Sequence, residues 1–124
     1  MKYKILLVED NEPIRENTTE LLELSGYDVA AVANGKDGLN IAIKYLPDLI
    51  ISDIRMPLMD GYDFLQQIRK VPTLAISPFV FLTASCESKE IQYAMSMGAN
   101  DYIVKPFSGI ELIDKIKKLL SEYI

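Results

Sequence analysis

The sequence predicts an α/β fold: a doubly wound (βα)5 arrangement whose five-stranded parallel sheet, in the order 2-1-3-4-5, carries helices on both faces. Three observations predict it. Five short apolar or β-branched runs alternate with five stretches of helical periodicity, the pattern of right-handed strand–helix–strand crossovers. The central run, Leu49-Ile50-Ile51, is apolar without alternation, as in strands buried on both faces. The 124 residues fit a single domain, 1–124, long enough to bury roughly 60–70% of the unfolded surface. The strand order is carried over from the general rule for doubly wound sheets, whose ligand crevice lies where the order reverses, here between the first and third strands.

Tyr3 to Val8 reads as the first strand and runs into Glu9-Asp10. Asn11 is placed to cap the next helix, with Pro13 in its first turn, where a missing N–H costs least. Ile14, Thr18, Leu21 and Leu22 form its inward stripe, and Gly26 stands where a left-handed cap belongs. Tyr27 to Ala33 is a second, weaker strand. Asn34-Gly35 turns into a helix carrying Leu39, Ala42, Ile43 and Leu46, closed by Pro47. The third strand, Leu49 to Asp53, meets the proline-punctuated loop Ile54-Arg55-Met56-Pro57. Asp60-Gly61 then opens a helix with Phe64, Leu65 and Ile68 on one face. Val71 to Pro78, with a proline near each end, reads as loop. Phe79 to Leu82 is a strand by β propensity. Ile91, Ala94 and Met95 mark a fourth helix stopped by Gly98, and Tyr102 to Val104 a fifth strand ended by Lys105-Pro106. Ser108 and Glu111 form a capping box for the last helix, lined by Leu112, Ile113, Ile116, Leu119 and Leu120.

Composition excludes several classes of function. A net charge of −5 and a pI of about 4.7 speak against a binder of the phosphate backbone, so no direct nucleic-acid contact is expected. No run approaches the ~18 apolar residues that cross a bilayer, and Glu9-Asp10 cut the first run too short for a signal peptide. No membrane association is expected. The single Cys86 can form no internal disulfide, fits a reducing cytoplasm, and reads as packing filler. The chain has no histidine, which removes Ser-His-Asp and Cys-His catalysis and most zinc chemistry.

In a parallel sheet the carboxyl ends of all strands open on one edge. Glu9, Asp10, Asp53, Thr83 and Lys105 therefore converge: three carboxylates, a hydroxyl and an ammonium. Each alone has an ordinary explanation as a cap, a turn, a strand end or a solvated tail. Their coincidence on one edge calls for a chemical one. Three carboxylates repel and raise one another's pKa unless a cation joins them. Mg2+, which takes oxygen ligands and keeps several waters, suits so sparse a set. A carboxylate with a reference pKa of about 3.9 is ionised at neutral pH and can accept a phosphoryl group without a general base. Lys105 and Mg2+ would neutralise the transferring group, and Thr83 would donate a hydrogen bond to it.

These residues and their neighbours resemble one family along essentially the whole chain. Val8-Glu9-Asp10-Asn11, Asp53-Ile54-Arg55-Met56-Pro57, Met59-Asp60-Gly61, Thr83-Ala84 and the run from Gly98 to Phe107 are similar to the motifs of the receiver domain of bacterial two-component response regulators, a flavodoxin-like fold of the chemotaxis-regulator kind. The resemblance implies that Asp53 is the phosphoacceptor. It implies that Asp10, Asp53 and the backbone carbonyl of Arg55 ligate Mg2+ directly, with Glu9 acting largely through water. Lys105 would contact the phosphoryl oxygens, the Lys105–Pro106 peptide would be cis, and Thr83 and Tyr102 would be paired switch positions. Glu9 stands where the family more often has the shorter Asp.

The resemblance further implies a phosphoacceptor signalling domain rather than an enzyme, with at most slow self-phosphorylation and self-dephosphorylation. Its donor would be a sensor histidine kinase or a histidine phosphotransfer protein, and its output a downstream protein or domain. That output would engage the face of the fourth helix, fifth strand and fifth helix, including Tyr93. A monomer or a weak phosphorylation-dependent dimer is expected, with Asp101 and Lys115 able to pair across it and Ile91 where a basic partner for Glu111 is often found. The expected location is the cytoplasm. Three alternatives compete with this reading. A phosphatase of the haloacid dehalogenase type needs a second Asp two residues after the nucleophile, where this chain has Arg55, and a cap domain for which there is no room. A flavodoxin-like cofactor binder needs a phosphate-cradling loop after the first strand, where Asn11-Glu12-Pro13 is acidic and lacks glycine. A degenerate receiver acting as a phosphorylation-independent docking module would have lost some site groups, and all are present.

Overall fold

The computed structural model describes residues 2–123. Strands and helices alternate as β1 (Lys4–Val8), α1 (Glu12–Leu24), β2 (Asp28–Val32), α2 (Gly35–Tyr45), β3 (Leu49–Asp53), α3 (Gly61–Lys70), β4 (Phe79–Thr83), α4 (Ser88–Ser96), β5 (Asp101–Val104) and α5 (Gly109–Tyr123). All strand pairs are parallel, in the order β2-β1-β3-β4-β5. The register aligns Val8 with Ser52, Asp53 with Leu82, and Thr83 with Val104. Residues following these pairs are therefore level at one edge.

Side chains alternate across the sheet and build a core on each face. Ile5, Leu7, Leu49, Ile51, Val80, Leu82 and Ile103 pack against Leu22 of α1 and against Leu112, Ile116, Leu119 and Leu120 of α5. Leu6, Val8, Ile50, Phe79 and Phe81 meet Ala42 of α2, Phe64, Leu65 and Ile68 of α3, and Ala94 of α4. Caps fall where the sequence places them: Asn11, Asn34 and Asp60 each accept an N–H from the first turn that follows.

Several expectations need correction. In α2, Ile43 and Leu46 are half exposed, and the buried face is Gly35, Gly38 and Ala42. A Cβ on Gly38 would lie 3.0 Å from Val8 Cγ2 and 3.1 Å from the Phe64 ring, so this helix rests on its neighbours by its backbone. In α4, Met95 is exposed and Ala94 alone is buried among the described residues. Val71–Pro78 is not simple loop. It contains a 3-10 turn, Pro72–Leu74, with Leu74 buried. Arg69 secures it, donating to the carbonyls of Ser77 at 2.7 Å and Gly98 at 3.1 Å and to Asn100 Oδ1 at 3.2 Å. Cys86 is exposed rather than packed. No described helix is long and apolar enough to cross a membrane.

The loop after β3 folds back so tightly that the Gly61 N–H donates to the Ile54 carbonyl at 2.6 Å. A Cβ at Gly61 would collide with the carbonyl oxygen of Asp53 and lie 2.8 Å from Ile54 Cα. Both obstacles are backbone and cannot rotate away. Gly61→Ala is expected to lower stability by about 1–3 kcal/mol in urea unfolding, the usual cost of overpacking. A loss below about 0.5 kcal/mol, the ordinary scatter of surface substitutions, would show that the loop relaxes freely.

Candidate functional site

Glu9 follows β1, yet its N–H still donates to the Val32 carbonyl at 3.1 Å, so the sheet holds it in place. Its carboxylate is fully buried, with Oε2 accepting the Asn11 N–H at 3.2 Å. Asp53 ends β3 with 4% of its surface exposed, and the next N–H, of Ile54, donates to Leu82. Lys105 is tied to β4 by its N–H, which donates to the Thr83 carbonyl at 2.7 Å, and the bond to Pro106 is cis as expected. Its ammonium lies 2.6 Å from Glu9 Oε1 and 2.5 Å from Asp53 Oδ1. Asp10 is solvent-exposed, and one carboxylate oxygen from each of Glu9, Asp10 and Asp53 falls within 4.8 Å of the others.

Thr83, nearly buried, lines the same cleft, and its Oγ1 accepts the Ser85 N–H at 3.0 Å. Arg55 lines the cleft too, but its guanidinium points outward and faces Glu90 of α4 at 3.6 Å. Tyr102 is not in this group. It sits one strand pair away, opposite Phe81 on β4, half-buried against the core, with Lys115 Nζ 4.9 Å from its ring centre. Lys115 also donates to Asp101 Oδ1 and to the Tyr102 carbonyl, both at 2.9 Å. The Asp101–Lys115 pair, read as available between two copies, is thus closed within one chain.

The cleft encloses about 1130 Å³. Burial is the main influence on the Asp53 carboxyl; with the Glu9 carboxylate hydrogen-bonded beside it, it pushes the group up to about 8 against the opposing pull of Lys105. Burial also acts to raise Glu9, but hydrogen bonds from Asp53, Lys105 and the Asn11 N–H outweigh it and hold Glu9 low. For Lys105, burial acts downward, and the two carboxyl partners overcome it and raise the ammonium. Without a metal ion the environment thus favours a proton on Asp53 over one on Glu9, and Asp53 is the group whose ionisation a nearby cation would assist.

The donor set fits a small hard dication. It consists of carboxylate oxygens alone, and the exposed Asp10 leaves one side open for water. Such an ion would supply the charge that lets Asp53 lose its proton. Sequence reasoning missed two contacts at this edge. Arg15 of α1 reaches back to the Glu9 carbonyl at 2.9 Å, and the Tyr62 ring meets Tyr93 edge-on at 4.9 Å beside the cleft. Neither belongs to an apolar stripe or a motif, so periodicity carries no sign of them.

The profile of the family described as "Response regulator receiver domain" matches residues 5–117. The transcriptional regulatory protein HprR of Escherichia coli K12 is 42% identical over 120 residues, covering 97% of this chain and 52% of that protein. The chain spans about half the length of the curated relatives it matches. Among solved structures, the chemotaxis response regulator CheY4 of Vibrio cholerae superposes with a TM-score of 0.92 at 31% identity, covering 96% of this chain and 99% of that one. The receiver domain of sensor histidine kinase PA1611 from Pseudomonas aeruginosa PAO1, which holds a magnesium ion in its active-site cleft, gives 0.88 at 33% identity, covering 98% and 99%.

The Asp53 shift has a thermodynamic sign. Its folded pKa of about 8 lies above the ordinary 3.8, so between those values the folded protein holds more protons than the unfolded chain. The stability of the metal-free protein then falls as pH rises across that window. Asp53→Asn keeps the shape and cannot ionise. In a chelator, the variant should be more stable than the parent at pH 8, on the order of a few kcal/mol, with the gap closing toward pH 4. Urea unfolding at three pH values measures this, and a pH-independent difference would contradict the assignment of the proton.

Proposed function

The chain belongs to the response regulator receiver domain family, and from that premise we propose that it is a phosphoacceptor switch with Asp53 as the phosphorylated residue. The observation that carries this reading is the buried Asp53 carboxyl held at a strand tip between Glu9 and Lys105, with a cleft open before it. With no histidine of its own, the chain takes the group from a sensor histidine kinase or a histidine phosphotransfer protein. Small acyl phosphates can substitute for that donor.

In the transfer, an Asp53 oxygen attacks phosphorus in line. The phosphorus–nitrogen bond of the donor breaks, the imidazole leaves with the electron pair and takes a proton, and an aspartyl phosphate remains. Asp10, Asp53 and the Arg55 carbonyl would hold Mg2+, with Glu9 contributing through water, and the ion would supply positive charge against the phosphoryl oxygens. Lys105 keeps its contact with Glu9 and turns its ammonium from the Asp53 oxygen to a phosphoryl oxygen. The Thr83 hydroxyl accepts the Ser85 N–H at 3.0 Å and donates only a long 3.5 Å bond to the Ser85 carbonyl, so its proton can turn to the incoming group. The reaction is a single modification, and the domain is not an enzyme in the usual sense.

The same hydroxyl links the site to the output. Thr83 moving toward the phosphoryl opens space beside β4, and Tyr102, one pair along the sheet, is the ring placed to fill it. The partner is a downstream protein or output domain engaging α4, β5 and α5. Longer relatives are named for transcriptional regulation, so an attached DNA-binding domain is one form of that partner. The receiver itself, at a net charge of −5, touches neither nucleic acid nor membrane and works in the cytoplasm. With Asp101 and Lys115 paired inside the chain, it is a monomer or a weak phosphorylation-dependent dimer.

The test is uptake of one phosphoryl group from acetyl phosphate, read by intact mass. Uptake should need Mg2+, stop in a chelator and vanish in Asp53→Asn. Thr83→Ala should slow it roughly tenfold or more through the lost donor. Wild-type uptake in Asp53→Asn, or uptake indifferent to Mg2+, would overturn the proposal; phosphorylation with an unmoved Tyr102 by NMR would remove the switch alone.

A further inference from the structure

We propose that Arg15 is a positioning residue for the metal site, acting through the Glu9 carbonyl to aim Asp10 at the ion. The inference rests on the reading of Glu9, Asp10 and Asp53 as a Mg2+ site. Its own observation is the Arg15 Nη1 donor, half-buried on α1, at 2.9 Å from the Glu9 oxygen.

The three carboxylates are not equally restrained. Asp53 is the last residue of a strand paired on both sides. Glu9 is held through its N–H by Val32 and through its side chain by Lys105 and the Asn11 N–H. Asp10 is exposed and shares none of these supports. Where its carboxylate points depends on the two peptide planes that flank it, because each plane is rigid and only φ and ψ between them are soft. The Asp10–Asn11 plane is fixed by the Asn11 N–H on Glu9 Oε2. The Glu9–Asp10 plane is fixed by the guanidinium on the Glu9 oxygen.

These two supports respond differently to an ion. Drawing the Glu9 carboxylate toward a cation or its water shell weakens the Asn11 contact, which uses that same carboxylate. The Arg15 contact uses a backbone carbonyl and survives. Arg15 is also built in firmly, since its own N–H continues the helix onto the Asn11 carbonyl at 2.9 Å. The residue thus clamps the loop from Glu9 to Asn11 at both ends.

Charge and positioning predict opposite signs. A guanidinium near a cation site repels the ion, so on electrostatics alone its removal tightens binding. As a clamp, its removal weakens binding, and outer-shell partners of this kind are worth roughly 10–100-fold in affinity. Mg2+ demands near-octahedral geometry whereas Ca2+ tolerates irregular sites, so a positioning role falls mainly on Mg2+.

The experiment titrates Mg2+ and then Ca2+ into the metal-free protein by calorimetry, for the parent and for Arg15→Ala, Arg15→Gln and Arg15→Lys. Arg15→Ala should weaken Mg2+ about tenfold or more and Ca2+ less than about threefold. Arg15→Lys, which retains a donor, should recover most of the loss. In the metal-free Arg15→Ala protein, the NMR shift changes should centre on the Asp10 and Asn11 amides. Unchanged or tighter Mg2+ binding overturns the inference, as does an equal loss for both ions. If Arg15→Ala does not fold, the Gln and Lys variants decide by the same Mg2+ to Ca2+ comparison. A parent protein that binds no Mg2+ defeats the metal site and this inference together. An Asp10→Asn loss without an Arg15 effect spares the site and defeats the inference alone.

Discussion

One ammonium organises the site edge of this domain. Lys105 brings a positive charge from the end of β5 across the sheet to two buried carboxyl groups on β1 and β3. Without it, Glu9 and Asp53 would face each other with no counter-charge, and breaking a buried pair by removing one partner typically costs about 3–5 kcal/mol. One ammonium balances one carboxylate, and burial favours a proton on Asp53 over a second negative charge. Once that proton leaves, the set is one positive charge short. That deficit is what a divalent cation satisfies, and it links ion binding to release of a proton.

The scaffold serves this arrangement by bringing backbones close. Gly61 lets the chain turn straight back under Asp53, and Gly38 lets α2 rest directly on Val8 and Phe64. Both sit beneath the site edge, where a larger side chain would push the strand tips apart. Leu58, at the far point of the loop after β3, has a left-handed φ of 72° and is 94% exposed. A β-carbon is disfavoured in that conformation, so the loop carries some strain at its most solvent-exposed point while its base stays fixed.

The strand tips were legible in the sequence because a parallel sheet turns linear order into spatial convergence. Once the apolar runs are read as strands, Glu9, Asp53, Thr83 and Lys105 must meet. Helix faces were legible where bulky residues mark them, as at Phe64, Leu65 and Ile68, and illegible in α2, where glycines form the contact and Ile43 and Leu46 are left outside. The turn within Val71–Pro78 was hidden because its acceptors are backbone carbonyls and its donor, Arg69, looks like any exposed charge. The upward shift of the Asp53 carboxyl was hidden for a related reason. A reference pKa belongs to an isolated group, and here burial decides. Tyr102 could be placed on β5 but not told from an ordinary strand aromatic, and its half-buried position against Lys115 is information only coordinates hold.

The Arg69 clamp gives α4 the mechanics of a lever. At its C-terminal end the chain is fastened, because Arg69 grips the Gly98 carbonyl and Asn100, and Asn100 in turn accepts the Phe79 N–H. At its N-terminal end Glu87 makes no side-chain cap, and Ala94 is the helix's one buried residue among those described. With one end fastened and the other tied only by the exposed Arg55–Glu90 pair, the easiest motion for this helix is a swing. Over nine residues, at 1.5 Å of rise each, the arm is about 13 Å long, so a tilt of about ten degrees carries its free tip roughly 2 Å. The tip is the end beside the cleft, where Glu90 faces Arg55. A small push there would be delivered as torque about the Gly98–Asn100 anchor rather than as a loosening of the whole helix.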